Sequence, residues 1–246
     1  MKKLLALFVS TAFCSFLANG QTVLLSKANP DGNYNRWLLR QNPNLKLVSL
    51  ADVSKDSVQY WLKNASGFLM TGGEDIYPAR YGKEADTSSC GTFDQKRDSL
   101  EFQMLDYAFS YKKPLFGICR GMQLINVYLK GSLIVDIPTR LGIKVRHREE
   151  GSVEHNVSVI TNTKLAKICK TKQGLVLSNH HQGIDKLGKT LMPSSNTEDG
   201  LIESIEGDVD SKMPFLMAVQ WHPEKMNADD HLSKSLAAAF VKSMAK

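Results

Sequence analysis

One short segment constrains the fold of this chain more than any other, because it joins an apolar strand to a helix almost without a loop. Residues 114–118 form a near-continuous apolar run, and a helix-like stretch, residues 122–129, follows almost at once. Cys119 stands at the corner, with one glycine two positions before it and another two positions after it. A turn this tight has no room for flanking side chains, and it exposes the corner residue at the top of the sheet.

This corner is a suitable place for a nucleophile. The dipole of the following helix favours the thiolate form of a cysteine at its N-terminus. The first amides of that helix have no partner within the helix and can hold an oxyanion. The alternative interpretation of Cys119 is a small apolar residue in a strand–helix turn, and the G-x-C-x-G pattern alone does not decide between the two.

Short apolar runs alternate with helical patterns along the first half of the chain. The strand-like runs are residues 23–26, 45–50, 67–70 and 114–118, and the helical stretches are residues 54–64 and 94–112. Short, near-continuous apolar runs are typical of strands that are buried on both faces. The alternation predicts one α/β domain with a mostly parallel central sheet and helices on both sides.

The pattern changes from about residue 143 onward. Residues 153–161 alternate between apolar and polar, and two further strand-like runs follow at residues 201–205 and 215–221. We expect these to form antiparallel strands added to one edge of the sheet. A final amphipathic helix can be capped by Asp229 or Asp230.

The first twenty residues have the layout of a secretory signal peptide. A basic head, Lys2 and Lys3, precedes an apolar stretch and a small-x-small ending at residues 18–20. We therefore expect residues 21–246 to be the folded domain, periplasmic or secreted after cleavage near Gly20. A lipoprotein acylated at Cys14 is the less favoured alternative, because the bulky Phe13 precedes that cysteine.

Composition excludes several other classes of protein. Apolar residues make up 42% of the chain and charged residues 23%, which is typical of a globular domain. Loss of the two N-terminal lysines lowers the net charge from +6 to +4, too little and too scattered for a nucleic-acid groove. No segment is long enough to span a bilayer as a permanent helix, so we expect no stable membrane insertion. Cys90, Cys119 and Cys169 remain after cleavage, and their odd number predicts at least one free thiol.

Two further motifs supply partners for the cysteine. His222 ends an apolar run and is followed by a proline, and Glu224 lies close enough in sequence to orient the imidazole ring. The paired glycines Gly72 and Gly73 follow a predicted strand and can point backbone amides at a substrate. Taken alone, the His222–Glu224 pair also fits an ordinary surface contact, and the two glycines also fit a flexible turn.

Together these elements resemble the class I glutamine amidotransferase domains, and most closely their free-standing branch, the gamma-glutamyl-gamma-aminobutyrate hydrolase family. The segments that carry the resemblance run from about residue 22 to residue 240. They are residues 71–78 and 81–82, Arg97, Asp98 and Glu101, and residues 114–124, 178–182 and 220–224.

The resemblance implies a flavodoxin-like three-layer sandwich and a cysteine hydrolase that cleaves a small gamma-glutamyl substrate through a thioester. It implies Cys119 as nucleophile, His222 as general base and Glu224 as the residue that orients the base. The backbone amides of Gly73 and Arg120 would form the oxyanion hole, and Gln123 would contact the glutamyl group. His181 and Gln182 match a loop near the site. We expect neither a cofactor nor a metal, since His180 and His181 have no neighbouring ligand at metal-binding spacing.

One position departs from the family pattern: Lys130 stands where the family has the first of two glycines, which we expect to alter a helix end and not the chemistry. Two alternative functions stay open. One is an ammonia-supplying glutaminase subunit, against which export argues; the other is a non-catalytic binding protein on the same fold. The leaving amine and the oligomeric state, a homodimer included, are left open.

Overall fold

A computed structural model describes residues 20–149 and 151–245 of the chain. The predicted signal peptide, with Cys14, lies outside the described residues except for Gly20. The strands are β1 (Thr22–Leu25), β2 (Lys46–Ser49), β3 (Gly67–Met70), β4 (Leu115–Ile118), β5 (Ser132–Ile134), β6 (Val153–Val159), β7 (Gln173–Ser178), β8 (Gly183–Lys186), β9 (Leu191–Asn196), β10 (Ile202–Gly207) and β11 (Leu216–Val219). The helices are α1 (Asn33–Leu39), α2 (Val58–Asn64), α3 (Gln95–Ser110), α4 (Arg120–Tyr128), α5 (Ile137–Leu141), α6 (Lys164–Cys169) and α7 (His231–Ser243).

One long mixed sheet forms the centre of the molecule, in the order β2-β1-β3-β4-β11-β10-β9-β6-β7. Strands β2, β1, β3, β4 and β11 are parallel to one another. Strands β10, β9, β6 and β7 extend the sheet by antiparallel pairing. A separate pair, β5 and β8, is antiparallel. The predicted α/β class, with a parallel centre and an antiparallel extension, is confirmed.

The prediction was wrong about the strand nearest the C-terminus. Residues 215–221 were expected among the antiparallel edge strands, but β11 lies inside the sheet and pairs in parallel with β4. The run is apolar at every buried position, Leu216 to Val219, as a strand covered on both faces must be. The consequence is functional, because the carboxyl ends of β4 and β11 lie side by side.

Helices cover the two faces of the sheet. On one face α1, α6 and α7 pack over a core that includes Trp37, Leu236 and Phe240. On the other face α2, α3 and α4 pack over a core that includes Met104 and Ile125. These layers give the three-layer sandwich that the sequence analysis expects.

Side-chain caps fix the ends of the two longest helices. The Asp94 side chain accepts from the amides of Lys96 and Arg97 at the start of α3, and Asp230 accepts from Leu232 at the start of α7. Of the two predicted caps for the last helix, Asp230 is therefore the cap. No described helix combines the length and the apolar character that crossing a membrane requires. Cys90, Cys119 and Cys169 are all free thiols.

Candidate active site

Cys119 occupies a strained corner between β4 and α4. Its backbone angles are φ 53° and ψ −109°, a conformation that costs a non-glycine residue about 1–3 kcal/mol. The flanking glycines are required by contact: a Cβ on Gly121 would lie 2.2 Å from the Met70 carbonyl oxygen, and one on Gly117 would lie 2.8 Å from Ile125. The tight turn inferred from the sequence is present, and α4 begins directly after it, at Arg120 rather than at Met122.

The next strand brings His222 to the same edge of the sheet. The Cys119 amide donates to the carbonyl oxygen of Val219, the last residue of β11, at 2.8 Å. His222 lies three residues further on, and its Nδ1 is 2.9 Å from Oε1 of Glu224. Cys119, His222 and Glu224 are each at most 6% exposed. Because carboxyl ends of parallel neighbours meet at one edge, residues distant in sequence come together there.

Charges around the imidazole favour its protonated form. Burial opposes a charge on His222, but the Cys119 thiolate and the Glu224 carboxylate outweigh it and raise the pKa of His222 to about 10. Glu224 accepts the proton on Nδ1, so the second proton of the imidazolium lies on Nε2, the nitrogen nearer the Cys119 thiol. The arrangement is a buried thiol, an imidazole that holds and releases a proton, and an orienting carboxylate.

Two residues beside the thiol, Gly73 and Arg120, have backbone amides that are unpaired within the described part of the chain. Gly73 has a φ of 150°, and a Cβ there would lie 2.0 Å from an Arg97 nitrogen, so only glycine fits. The amides of Gly73 and Arg120 have no acceptor among the residues that the structure describes, whereas the Gly72 amide donates to the Tyr34 hydroxyl at 2.9 Å. Both residues border the same cavity as Cys119. Their amides are therefore free to receive an oxyanion.

A buried ion-pair network ties these two amides to helix α3. Arg120 pairs with Asp98 and Glu101. Arg97 pairs with Glu101 at 2.9 Å and donates to the Gly72 carbonyl oxygen at 2.8 Å. The network connects the glycine loop, α3 and the first residue of α4, and so fixes the separation of the two oxyanion donors.

Two cavities meet at Cys119. The smaller, about 210 Å³, contains every residue that the sequence analysis places around the substrate; these are Gly73, Arg120, Gln123, His181 and Gln182. The larger, about 610 Å³ and open to solvent, is also bordered by His222 and Glu224. A substrate can therefore lie across the thiol, with one part in each cavity.

The predicted substrate-binding residues differ in how free they are. The Gln123 amide nitrogen donates to the Gln182 carbonyl oxygen at 3.0 Å and to Gln220 at 3.3 Å, so Gln123 has only its carbonyl oxygen left for a ligand. The Gln182 amide nitrogen donates to the Val135 carbonyl oxygen at 3.1 Å. These two glutamines are buried and shape the floor of the smaller cavity.

His181 borders the smaller cavity between two carboxylates. Its Nε2 is 2.9 Å from Asp75, and its Nδ1 is 3.4 Å from Asp136. The hydrogen bond to Asp75 raises the pKa of His181. The side chain is held in place between the two carboxylates, which favour its protonated form.

The sequence analysis missed two residues of the site. Tyr34 borders the larger cavity, and burial together with the Glu224 charge raises the pKa of its hydroxyl well above the ordinary value. Arg148 borders the smaller cavity with an exposed guanidinium. Neither lies in a motif with fixed spacing to Cys119, so the fold is needed to find them.

The sandwich and the buried thiol beside a His–Glu pair define a class I glutamine amidotransferase-like hydrolase. The chain belongs to the Peptidase C26 family, whose sequence profile matches residues 44–224. It is 32% identical over 190 residues to the glutamine amidotransferase-like protein YvdE of Lactococcus lactis, covering 76% of this chain and 77% of that protein.

Two more distant proteins are also similar. The gamma-glutamyl-gamma-aminobutyrate hydrolase of Escherichia coli O157:H7 is 28% identical over 193 residues, 73% of this chain and 72% of that protein. The glutaminase domain of Trypanosoma brucei CTPS superimposes with a TM-score of 0.65 at 14% identity, over 92% of this chain and 93% of that one. At that identity the second likeness supports the fold alone.

Proposed function

We propose that this hydrolase cleaves the gamma-glutamyl amide bond of a small compound and releases glutamate and an amine. The observation that carries the proposal is the meeting of Cys119, the His222–Glu224 pair and two free backbone amides at the junction of two cavities. The similarity to the hydrolase of Escherichia coli O157:H7 gives further support for the gamma-glutamyl group.

The reaction begins with attack of the Cys119 thiolate on the gamma-carbonyl carbon. The carbonyl oxygen becomes an oxyanion and accepts hydrogen bonds from the amides of Gly73 and Arg120. His222 gives its proton to the nitrogen of the departing amine, and the C–N bond breaks to leave a thioester. His222 then takes a proton from water, the resulting hydroxide attacks the thioester, and glutamate leaves with regeneration of the thiolate.

The two cavities divide the substrate in this proposal. The glutamyl group occupies the smaller cavity, where Arg148 can pair with the alpha-carboxylate and Asp75 with the alpha-ammonium. The leaving amine occupies the larger cavity, which is much larger than ammonia requires. This favours a substituted amide over glutamine, and hydrolysis over ammonia supply to a synthase.

A substrate panel tests the proposal. The purified protein is given gamma-glutamyl amides of small amines, glutamine and an alpha-glutamyl amide, and free glutamate is measured. We expect the substituted gamma-glutamyl amides to react fastest and the alpha-glutamyl amide not to react. Cys119→Ala should melt like the parent and release no glutamate. Full activity in that variant, or a preference for the alpha-glutamyl amide, would contradict the proposal.

We also propose that the protein is exported and that residues 1–20 are removed. The basic head, the apolar centre and the small-x-small ending support this. Mass spectrometry of the protein from its native host tests it: the expected N-terminus is Gln21. A chain that still begins at Met1 would contradict export, and a lipid-modified chain that begins at Cys14 would favour the lipoprotein.

A further inference from the structure

Three histidines surround one carboxylate in the antiparallel half of the fold, and the proposed reaction uses none of them. His147 precedes β6, His155 lies on β6, His180 follows β7, and Glu203 lies on β10. The histidines are 4–7% exposed, and Glu203 is fully buried. The cluster is therefore built into the core, where charged and polar groups need partners.

Hydrogen bonds fix the tautomer of each ring. His155 Nδ1 is 3.2 Å from the Arg146 carbonyl oxygen, and His180 Nδ1 is 2.9 Å from the Gln182 carbonyl oxygen. Carbonyl oxygens only accept, so each of these nitrogens carries the proton. His147 Nε2 is likewise held by the Asp199 carboxylate at 3.0 Å. In a neutral ring the remaining nitrogen has a lone pair and no proton.

All three remaining nitrogens face Glu203. His147 Nδ1 and His180 Nε2 are 3.3 and 3.4 Å from its Oε1, and His155 Nε2 is 3.4 Å from its Oε2. None of these five atoms has a hydrogen-bond partner among the described residues. Charge-assisted hydrogen bonds would be shorter, at about 2.7–2.9 Å. Lone pairs that face a carboxylate in a dry core repel it unless a cation lies between them.

We propose that His147, His155, His180 and Glu203 bind a zinc-type divalent cation. Ligand atoms of His147, His155 and Glu203 all lie within 4.8 Å of one another. A tetrahedral zinc site with bonds of about 2.0–2.1 Å has ligand–ligand edges of about 3.3 Å, which matches the measured nitrogen–oxygen distances. Imidazole nitrogens with one carboxylate oxygen suit zinc and its first-row neighbours better than magnesium or calcium.

The surroundings of the ligands also fit a metal site. Histidines that bind metals generally donate their other ring N–H to a carboxylate or a backbone carbonyl, as each of these three does. Asp199 is itself held by the Thr197 hydroxyl at 2.6 Å. The second layer of contacts that fixes ring orientation is therefore complete without the cation.

Protonation of the rings is the competing arrangement. His147 lies with its ring centroid 4.8 Å from that of His155 and 5.0 Å from that of His180. Three imidazolium ions this close would repel one another around a single negative charge. Protonation of His147 alone, which lies between Asp199 and Glu203, would still leave the lone pairs of His155 and His180 facing the carboxylate. One divalent cation bound by His147, His155 and Glu203 would satisfy two of the lone pairs and the carboxylate at once, and His180, 3.4 Å from the same carboxylate, is the candidate fourth ligand.

The cation would stabilise the loop that follows β7, residues 179–182, which borders the smaller cavity. The His180 amide donates to the His147 carbonyl oxygen at 3.0 Å, and the Gln220 amide donates to the Glu203 carbonyl oxygen at 2.8 Å. His180 also borders the smaller cavity at Cys119. A bound cation would therefore hold the loop that follows β7 against β10, beside β11 and the segment after it that carries His222, in a structural and not a catalytic role.

Zinc titration of the Cys119→Ala protein tests the proposal, because this background removes the active-site thiol as a competing ligand. The protein is stripped with a chelator, and zinc is titrated against a chromophoric chelator; cobalt is then bound for its visible spectrum. We expect one equivalent of zinc, a tetrahedral cobalt spectrum and a higher melting temperature with zinc, but no competition from magnesium.

Variants in the same background assign the site. His155→Gln should lower zinc affinity at least a hundredfold, and Asp199→Asn, which touches the cation only through His147, about ten- to a hundredfold. His231→Gln removes an exposed histidine outside the cluster and should bind like the parent. Absence of stoichiometric zinc would overturn the proposal. Parent-like zinc affinity in Asp199→Asn would overturn it too, and this variant replaces His155→Gln as the test if His155→Gln does not fold.

Discussion

Replacing Glu224 with glutamine removes the negative charge that faces Nδ1 of His222 but keeps the shape of the side chain. In the native protein this carboxylate accepts from Nδ1 at 2.9 Å and, together with the Cys119 thiolate, raises the pKa of His222 to about 10. The glutamine carbonyl oxygen can still accept from Nδ1. The variant therefore tests the charge and not the orientation alone.

The size of the effect follows from the type of hydrogen bond. Bonds to charged groups contribute about 1.5–3 kcal/mol and neutral ones about 0.5–1.5 kcal/mol. The difference, about 1–1.5 kcal/mol, corresponds to about one pKa unit, so the pKa of His222 should fall by about one unit in Glu224→Gln. His222 must be protonated to release the amine, so activity is lost as pH rises through this pKa. The alkaline limb of kcat/KM should move down by about one pH unit.

The rate at pH 8 should change less than in His222→Ala. Glu224→Gln should cost no more than about tenfold, since His222 still moves the proton, whereas His222→Ala should cost about a hundred- to ten-thousandfold. The assay follows glutamate release from one gamma-glutamyl amide between pH 6 and about 11. The substrate ammonium titrates alike with every enzyme, so the difference between curves is the measured quantity.

A surface charge provides the control for this comparison. Glu198→Gln removes an equal charge from a side chain that is 74% exposed, and its alkaline limb should coincide with that of the parent. An alkaline limb that stays in place in Glu224→Gln would refute the reasoning. A Glu224 variant slower than His222→Ala would show that the two roles are assigned wrongly.

Three other substitutions test the backbone and its support. Gly73→Ala should reduce kcat about a hundred- to a thousandfold, because the new Cβ would displace the amide, while Gly200→Ala, with positive φ and open space, should keep activity. Lys130→Gly should raise the free energy of unfolding by about 0.5–1 kcal/mol, since Lys130 has a φ of 72°. Glu101→Gln should lower the free energy of unfolding, measured in urea, by about 3 kcal/mol, because Arg97 and Arg120 lose a buried charged partner.

Each of these three predictions has a result that would contradict it. Activity near the parent level in Gly73→Ala would remove that amide from the proposed oxyanion hole. A destabilised Lys130→Gly would mean that the lysine side chain contributes more than the backbone strain costs. An unchanged urea midpoint in Glu101→Gln would show that the ion-pair network is not needed for stability.

Local patterns predicted the parts of the site that lie on one segment. The Gly–Cys–Gly spacing identified the corner at Cys119, because only a tight turn requires both glycines. His222 and Glu224 lie two residues apart after an apolar run, so their contact followed from sequence. Lys130 was expected to alter a helix end; it lies two residues after α4 and has a left-handed backbone, the conformation that a glycine adopts most readily.

Contacts between distant segments were harder to predict. The alternation of residues 215–221 with loops suggested an edge strand, since one strand carries no information about which neighbour it pairs with. Tyr34 reaches Gly72 only because β1 and β3 are neighbours. The cluster around Glu203 draws its histidines from three separate segments between residues 147 and 180, so metal-ligand spacing could not reveal it.

Mass spectrometry of the acyl-enzyme tests the central claim most directly, because it identifies the atom that forms the covalent bond. The protein is mixed with a reactive gamma-glutamyl amide, quenched in acid during turnover and digested. The account predicts that the peptide containing Cys119 gains the mass of one glutamyl group, that hydroxylamine removes it, and that Cys119→Ala never acquires it. A glutamyl group on another residue, or turnover with Cys119 unmodified at every quench time, would contradict the account.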